Sequence, residues 1–111
     1  MKLLAYLTTD LVNASTVESF ASQHCIPVQT IEPRDLTKLD FSHFDLILDW
    51  DYIPDEIRVW LMRTAELKVV AIHGYGVSDS LAGFLPRRGV FYSPKLTQHF
   101  LFAISASKKA A

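Results

Sequence analysis

The chain has 111 residues, 50% of them hydrophobic, 12% aromatic and 21% charged, with a formal net charge of −1. That length suits one globular domain with a single core. The apolar content excludes a disordered chain, and the near-zero charge gives no global attraction to nucleic acid or anionic lipid.

Apolar runs reach only four or five residues, as in Leu3 to Leu7, so no membrane span is expected. Met1-Lys2 leads into that run without a small-residue cleavage site, so no signal peptide is expected either. A single cysteine, Cys25, excludes an intrachain disulfide and a cysteine-built zinc cage. Together these features predict a cytoplasmic protein.

Lys2 to Thr8 (KLLAYLT) is a continuous apolar run of strand length, which suits a strand buried on both faces. Ser15 or Thr16 can cap the next helix, with Glu18 in its first turn and Val17, Phe20, Ala21 and Cys25 on its inner stripe. Pro27 stops it. Val28 to Ile31 reads as a short strand closed by Pro33. Arg34 to Phe44 allows a short helix or an irregular crossover through Leu36, Leu39 and Phe41.

Asp45 to Trp50 (DLILDW) is the next strand, and Asp51 to Asp55 is a turn. Pro54 fits the first position of a helix whose stripe is Ile57, Trp60, Leu61 and Ala65. Lys68 to His73 (KVVAIH) is a strand, followed by a tight Gly74-Tyr75-Gly76 turn. Ser78 can cap a short helix with the stripe Leu81, Phe84 and Leu85; Pro86 to Gly89 is a break. Gly89 to Ser93 is the last strand. Thr97 can cap the last helix, whose inner face is Phe100, Ala103 and Ile104, and 105–111 is expected to fray.

Alternation of strands and helices predicts one α/β domain over 1–111, in three layers, with a five-stranded parallel sheet. The flavodoxin-like order 2-1-3-4-5 is the expected one. In such a sheet ligands bind outside the carboxyl ends of the strands, at the switch point. That edge gathers Thr8, Thr9 and Asp10 beside Asp49, Trp50 and Asp51, with His73, Gly74 and Gly76 after the fourth strand and Ser93 and Lys95 after the fifth.

Asp10, Asp49 and Asp51 are the candidate ligands for Mg²⁺, which takes one or two carboxylates plus waters. Asp49 and Asp51 share a face only if the strand continues through both. Thr8, Thr9, His73, Gly74, Gly76, Ser93 and Lys95 are candidate ligand-binding residues, the two glycines through backbone approach to an anion. Position 79 is Asp79, so the third glycine of a dinucleotide fingerprint is missing. Cys25 reads as buried and inert, Trp60 as core, and Arg87-Arg88 as a solvated loop. Trp50, Tyr52 and Trp60 are the aromatic residues of a candidate contact surface.

Charge is unevenly distributed along the chain. Residues 1–56 carry ten acids and three bases, a net of −7; residues 57–111 carry two acids and eight bases, a net of +6. Mixing of the two halves within one sheet is expected to blunt the asymmetry.

The segment FDLILDWDYIPDE, Phe44 to Glu56, resembles the third strand and following loop of the receiver domain of bacterial response regulators. The resemblance implies a receiver-like fold and makes Asp49 the phosphoacceptor candidate. Pro54 lies five residues after Asp49, where that family places its proline at four. The acidic pair that ends the family's first strand corresponds to Leu7-Thr8 or Thr8-Thr9, the Ser/Thr after its fourth strand to His73-Gly74, and its Lys-Pro to Ser93-Pro94, with a cis peptide at that proline. Phosphoryl transfer to a carboxylate needs Mg²⁺ and a fixed cation. A chain without them is expected to be a pseudo-receiver: a non-catalytic domain that mediates protein–protein contact in signalling or regulation.

ILDWDYI, Ile47 to Ile53, is also similar to the DxD motif of haloacid-dehalogenase-type phosphatases, which makes Asp49 a nucleophile and Asp51 an acid/base. Three readings therefore stand. One is the pseudo-receiver, whose partner is another protein or a second copy meeting the chain through Tyr92 and Phe102. A second is a Mg²⁺-dependent phosphoacceptor or phosphatase-like enzyme using Asp49. The third is a small-anion or nucleotide binder at Gly74 and Gly76. No cofactor other than Mg²⁺ is implied, and neither a membrane nor a nucleic acid is an expected partner.

Overall fold

A computed structural model describes residues 3–64, 67–76 and 90–110. The expected Ser78 helix with Leu81, Phe84 and Leu85, the Pro86–Gly89 break, Arg87-Arg88 and Ala65 lie outside the described residues. The elements in chain order are β1 (Leu3–Leu7), α1 (Leu11–Gln23), β2 (Val28–Ile31), two short 3-10 helices (Pro33–Lys38 and Phe41–His43), and β3 (Phe44–Asp49). A further 3-10 turn (Trp50–Tyr52) leads to α2 (Asp55–Arg63), β4 (Val69–His73), β5 (Phe91–Ser93) and α3 (Gln98–Ala110).

The strands form one sheet in the order β2-β1-β3-β4-β5, and every pair is parallel. Register sets Leu7 beside Leu48, Asp49 beside His73, and His73 beside Ser93. Side chains alternate between the two faces. Ala5, Leu7, Leu46, Leu48 and Ile72 face a core completed by Leu36, Trp50 and the α2 residues Ile57 and Leu61. On the other face, Leu4, Tyr6, Ile47 and Ala71 meet Val17 and Phe20 of α1 and Phe100 and Leu101 of α3. No described helix is long and apolar enough to cross a membrane.

Strand order also decides the fate of the charge asymmetry. The acidic half supplies β2-β1-β3 and the basic half supplies β4-β5. The strands of the two halves thus lie side by side in the sheet instead of interleaving.

Several boundaries differ from expectation for identifiable reasons. The N-cap of α1 is Asp10, not Ser15 or Thr16: its carboxylate accepts from the Asn13 N–H at 3.2 Å, and the Ala14 N–H donates to its carbonyl at 3.0 Å. Thr16 instead donates within the helix to the Val12 carbonyl at 3.0 Å. Asp10→Ala is expected to cost about 1 kcal/mol, whereas Ser15→Ala should stay within about 0.5 kcal/mol. Urea unfolding of both variants measures the difference.

At the other end of α1, the Ile26 N–H closes back onto the Ala21 carbonyl at 2.9 Å. That closure needs a left-handed residue, and Cys25 supplies it with φ +55°. Cys25 is therefore exposed, not buried as its apolar character suggests. Pro54 precedes α2 as its cap and is not its first residue. The last helix begins as expected, with the Phe100 N–H donating to Thr97 Oγ1 at 3.2 Å. It continues through Ala110, past the point where fraying is expected. Pro94 follows a trans peptide, since no described peptide bond is cis.

Candidate functional site

Period-two alternation points Tyr6, Asp49 and His73 to the same face of the sheet, under α1 and α3. Parallel strands end on one edge, so β1, β3 and β4 deliver these side chains to one place. Asp49 is 1% exposed. Its Oδ2 accepts from Thr8 Oγ1 at 2.8 Å, from Asn13 Nδ2 at 2.8 Å and from the Tyr6 hydroxyl at 3.3 Å. The Tyr6 oxygen also lies 2.6 Å from His73 Nε2. His73 Nδ1 stands 3.8 Å from Asp49 Oδ1. Thr8 Oγ1 in turn accepts from the Asp10 N–H at 2.9 Å. Tyr6, Thr8 and His73 are all buried.

This is a polar network sealed inside an apolar face. The His73 ring lies edge-on to Phe100, with centroids 5.2 Å apart, and stacks near Tyr6 at 5.7 Å. Burial pushes the Tyr6 phenol far above its ordinary value, and the charge and hydrogen bond of Asp49 push the same way. For His73, burial lowers the pKa, while Asp49 and then Asp51 oppose that shift. Burial thus favours the uncharged form of both rings.

Asp51 goes elsewhere. The strand ends at Asp49, and the following 3-10 turn swings Asp51 toward the β4 loop. Its two oxygens accept from the N–H groups of Tyr75 and Gly76 at 2.7 and 2.6 Å. Both glycines serve this closure. Gly74 has φ +147°, and a Cβ there would lie 3.0 Å from Trp50 Cβ. A Cβ on Gly76 would lie 2.8 Å from Asp51 Oδ1. The Tyr75 and Gly76 N–H groups are thus engaged by the chain's own carboxylate, and the Gly74 N–H by the Ser93 carbonyl at 3.2 Å.

The three candidate metal ligands are divided among three sets of donors: Asp10 at the α1 cap, Asp49 in the network, Asp51 at the β4 turn. Among the described residues no group of three or more His, Cys, Asp or Glu side chains is placed to hold a metal ion. Thr9 ties two loops together, with its N–H and Oγ1 both donating to the Tyr52 carbonyl at 3.2 and 2.9 Å. Ser93 Oγ donates to the Lys95 carbonyl at 2.8 Å, a local turn that leaves Lys95 exposed.

The two candidate interface residues are not brought together. Tyr92 packs on the α2 face, and its hydroxyl donates to the Gly74 carbonyl at 3.2 Å. Phe102 lies on α3, on the opposite side of the sheet, edge-on to Phe20 of α1 and to His24 at its end, at 5.4 and 5.7 Å. It is 52% exposed. Of the aromatic trio, Trp50 is buried beneath Arg58, whose guanidinium carbon lies 5.4 Å from the ring centroid. Trp60 is partly buried against the core and Tyr52 is exposed.

Sequence reasoning missed two members of the network, Tyr6 and Asn13. Tyr6 was hidden in an apolar run, though its hydroxyl is the one polar group in Leu3–Leu7. Asn13 follows the capping Asp10 by three residues, which places it in the first turn of α1 above the strand ends. Comparison with known proteins adds nothing to this geometry: no protein-family model, no curated protein and no solved structure matches the chain.

Proposed function

We propose that this chain is a receiver-like domain without phosphoacceptor chemistry, and that it works by contact with another protein in signalling or regulation. The observation that carries the reading is the state of Asp49. In the receiver resemblance this residue is the phosphoacceptor. Here it is buried, and one of its oxygens already accepts from Tyr6, Thr8 and Asn13. Phosphoryl attack by that oxygen requires it to shed three donors, and the incoming phosphoryl group to displace the Asn13 and Thr8 side chains.

Surface features support the contact role. Leu11 and Val12 at the start of α1 are 85% and 72% exposed, and Tyr75 and Tyr52 stand exposed on neighbouring loops of the same edge. Phe102 adds an exposed aromatic ring on the helical face.

The test is an amide NMR titration of labelled protein with Mg²⁺ and then beryllofluoride. The expected spectrum is unchanged at Asp10, Asp49, Asp51 and Gly74; shifts clustered at those four overturn the reading. Sedimentation of Phe102→Lys against the parent chain tests the partner. If a second copy is the partner through this ring, the variant is monomeric at concentrations where the parent dimerises, with its fold intact.

A further inference from the structure

We infer that the Tyr75–Gly76 turn is a carboxylate-binding site held shut by the chain's own Asp51. The Asp51 side chain is an internal stand-in for the ligand. Its Oδ2 accepts from the Tyr75 N–H at 2.7 Å and its Oδ1 from the Gly76 N–H at 2.6 Å. Two successive backbone N–H groups thus hold one oxygen each, at charge-assisted length. Successive N–H groups that converge in this way form an anion-binding concavity. The anion in this one belongs to a residue 24 positions earlier in the chain than Tyr75.

Glycine makes the room. A Cβ on Gly76 would stand 2.8 Å from Asp51 Oδ1, closer than Cβ atoms approach a neighbour. One on Gly74 would stand 3.2 Å from Asp51 Cγ. The two glycines therefore shape a cradle that fits a carboxylate and has no space for a methyl group beside it.

Both walls of the cradle are held by bonds that do not involve the carboxylate. On the β4 side, the Gly74 N–H donates to the Ser93 carbonyl, and the Tyr92 hydroxyl donates to the Gly74 carbonyl, each at 3.2 Å. On the β3 side, Arg58 Nε donates to the Trp50 carbonyl at 3.0 Å. The Thr9 N–H and Oγ1 fix the same 3-10 turn through the Tyr52 carbonyl. Truncation of Asp51 thus leaves two convergent N–H groups with no carboxylate between them. Asp51, Tyr75 and Gly76 are all exposed, so a small anion reaches the gap from solvent.

The contact is autoinhibitory. An outside carboxylate and Asp51 accept from the same two N–H groups, so each excludes the other. Between ligands of equal chemistry the tethered one wins, because its binding is intramolecular. In the parent chain an outside carboxylate engages the turn only by displacing Asp51, which also unties the loop after β3 from the loop after β4. Nothing in this closure depends on Asp49 or on the pseudo-receiver reading.

The experiment is an amide NMR titration of ¹⁵N-labelled Asp51→Ala and of the parent chain with sodium formate at neutral pH, with sodium chloride at matched ionic strength as the reference. In Asp51→Ala, formate is expected to shift the Tyr75 and Gly76 amides saturably, with a Kd no tighter than about 1 mM, the ceiling for a ligand this small. The same amides in the parent respond at least about tenfold more weakly. Gly76→Ala added to Asp51→Ala sets a methyl group in the gap and abolishes the response. Thermal melts give a second readout: formate raises the Tm of Asp51→Ala above its value in chloride and leaves the parent unchanged. If Asp51→Ala does not fold in either salt, Asp51→Ser takes its place in the same titrations. Formate shifts that are absent from the truncated chain, equal in the parent, matched by chloride or indifferent to Gly76→Ala overturn the site.

Discussion

Ile47→Asp is expected to leave the chain unfolded at room temperature. Ile47 sits in the middle of β3, 1% exposed, paired with Tyr6 on one side and Ala71 on the other. Val17, Phe20, Phe100 and Leu101 cover it. Loss of the buried isoleucine costs about 2 kcal/mol in transfer free energy. The new carboxyl avoids ionising in this setting only by staying protonated at neutral pH, roughly three pH units above its ordinary value, or about 4 kcal/mol. Its unpaired polar atoms add about 1–3 kcal/mol. Asp49, two residues on and facing the same way, further favours the protonated form of the new carboxyl. The sum, about 7–9 kcal/mol, matches the whole stability of an ordinary domain, about 5–15 kcal/mol. Loss of amide dispersion and of the far-ultraviolet circular dichroism signal reads the outcome. Ile47→Val, at about 0.5–1.5 kcal/mol, is the folded control.

The same residues show why the architecture is legible in the sequence. KLLAYLT, DLILDW and KVVAIH are continuous apolar runs, and only a strand covered on both faces needs that pattern. Three such runs separated by helical spacing leave few alternatives to a parallel sheet. Boundaries are less legible, because caps are local competitions. Ser15 and Thr16 have the chemistry of a cap, and Leu11 and Val12 give no apolar stripe because both are exposed. Asp10 wins because it alone reaches the Asn13 N–H. Cys25 is exposed because closure of α1 demands a left-handed residue there, a backbone requirement that outweighs its apolar side chain. Leu101 is buried beside Phe100 because α3 meets two neighbours: Phe100 reaches His73, while Leu101 lines a small apolar cavity with Val17, Phe20 and Ala21.

The candidate site is legible as a place and not as a set of partners. Parallel strands must end on one edge, so Thr8, Asp49 and His73 had to be neighbours. Which atom meets which depends on register and on the length of each side chain, neither of which spacing encodes. Tyr6 lies two residues before the edge, and its long side chain still reaches His73 two strands away. Asp51, Gly74 and Gly76 each stood out singly. Their mutual closure appears only once β3 ends at Asp49 and the chain turns. Tyr92 and Phe102 part company for a related reason: alternation along β5 turns Tyr92 to the α2 face, while α3 packs on the other.

The decisive comparison for Asp49 is between two replacements. Asp49→Ala removes the common acceptor of Tyr6, Thr8 and Asn13; Tyr6 keeps His73 Nε2 at 2.6 Å, while the buried Thr8 hydroxyl and the half-buried Asn13 amide lose this partner, at an expected cost of about 2–5 kcal/mol. Asp49→Asn keeps an acceptor oxygen for those donors and sets an amide N–H₂ in place of Oδ1, which stands 3.8 Å from His73 Nδ1 in the parent chain. Its cost is the difference between charge-assisted and neutral bonds, about 1–2 kcal/mol. Urea unfolding with an unchanged m-value measures both. A carboxylate on an accessible reaction site gives a different pattern, with both replacements within about 0.5 kcal/mol of the parent. The His73 midpoint moves as well. Asp49 is the nearest group that favours the charged ring, so in Asp49→Asn burial acts with less opposition and His73 takes up its proton at still lower pH. Coupling between Tyr6→Phe and Asp49→Asn completes the case. Because one hydroxyl bridges the carboxylate and the imidazole, the double variant should depart from additivity by about 0.5–3 kcal/mol.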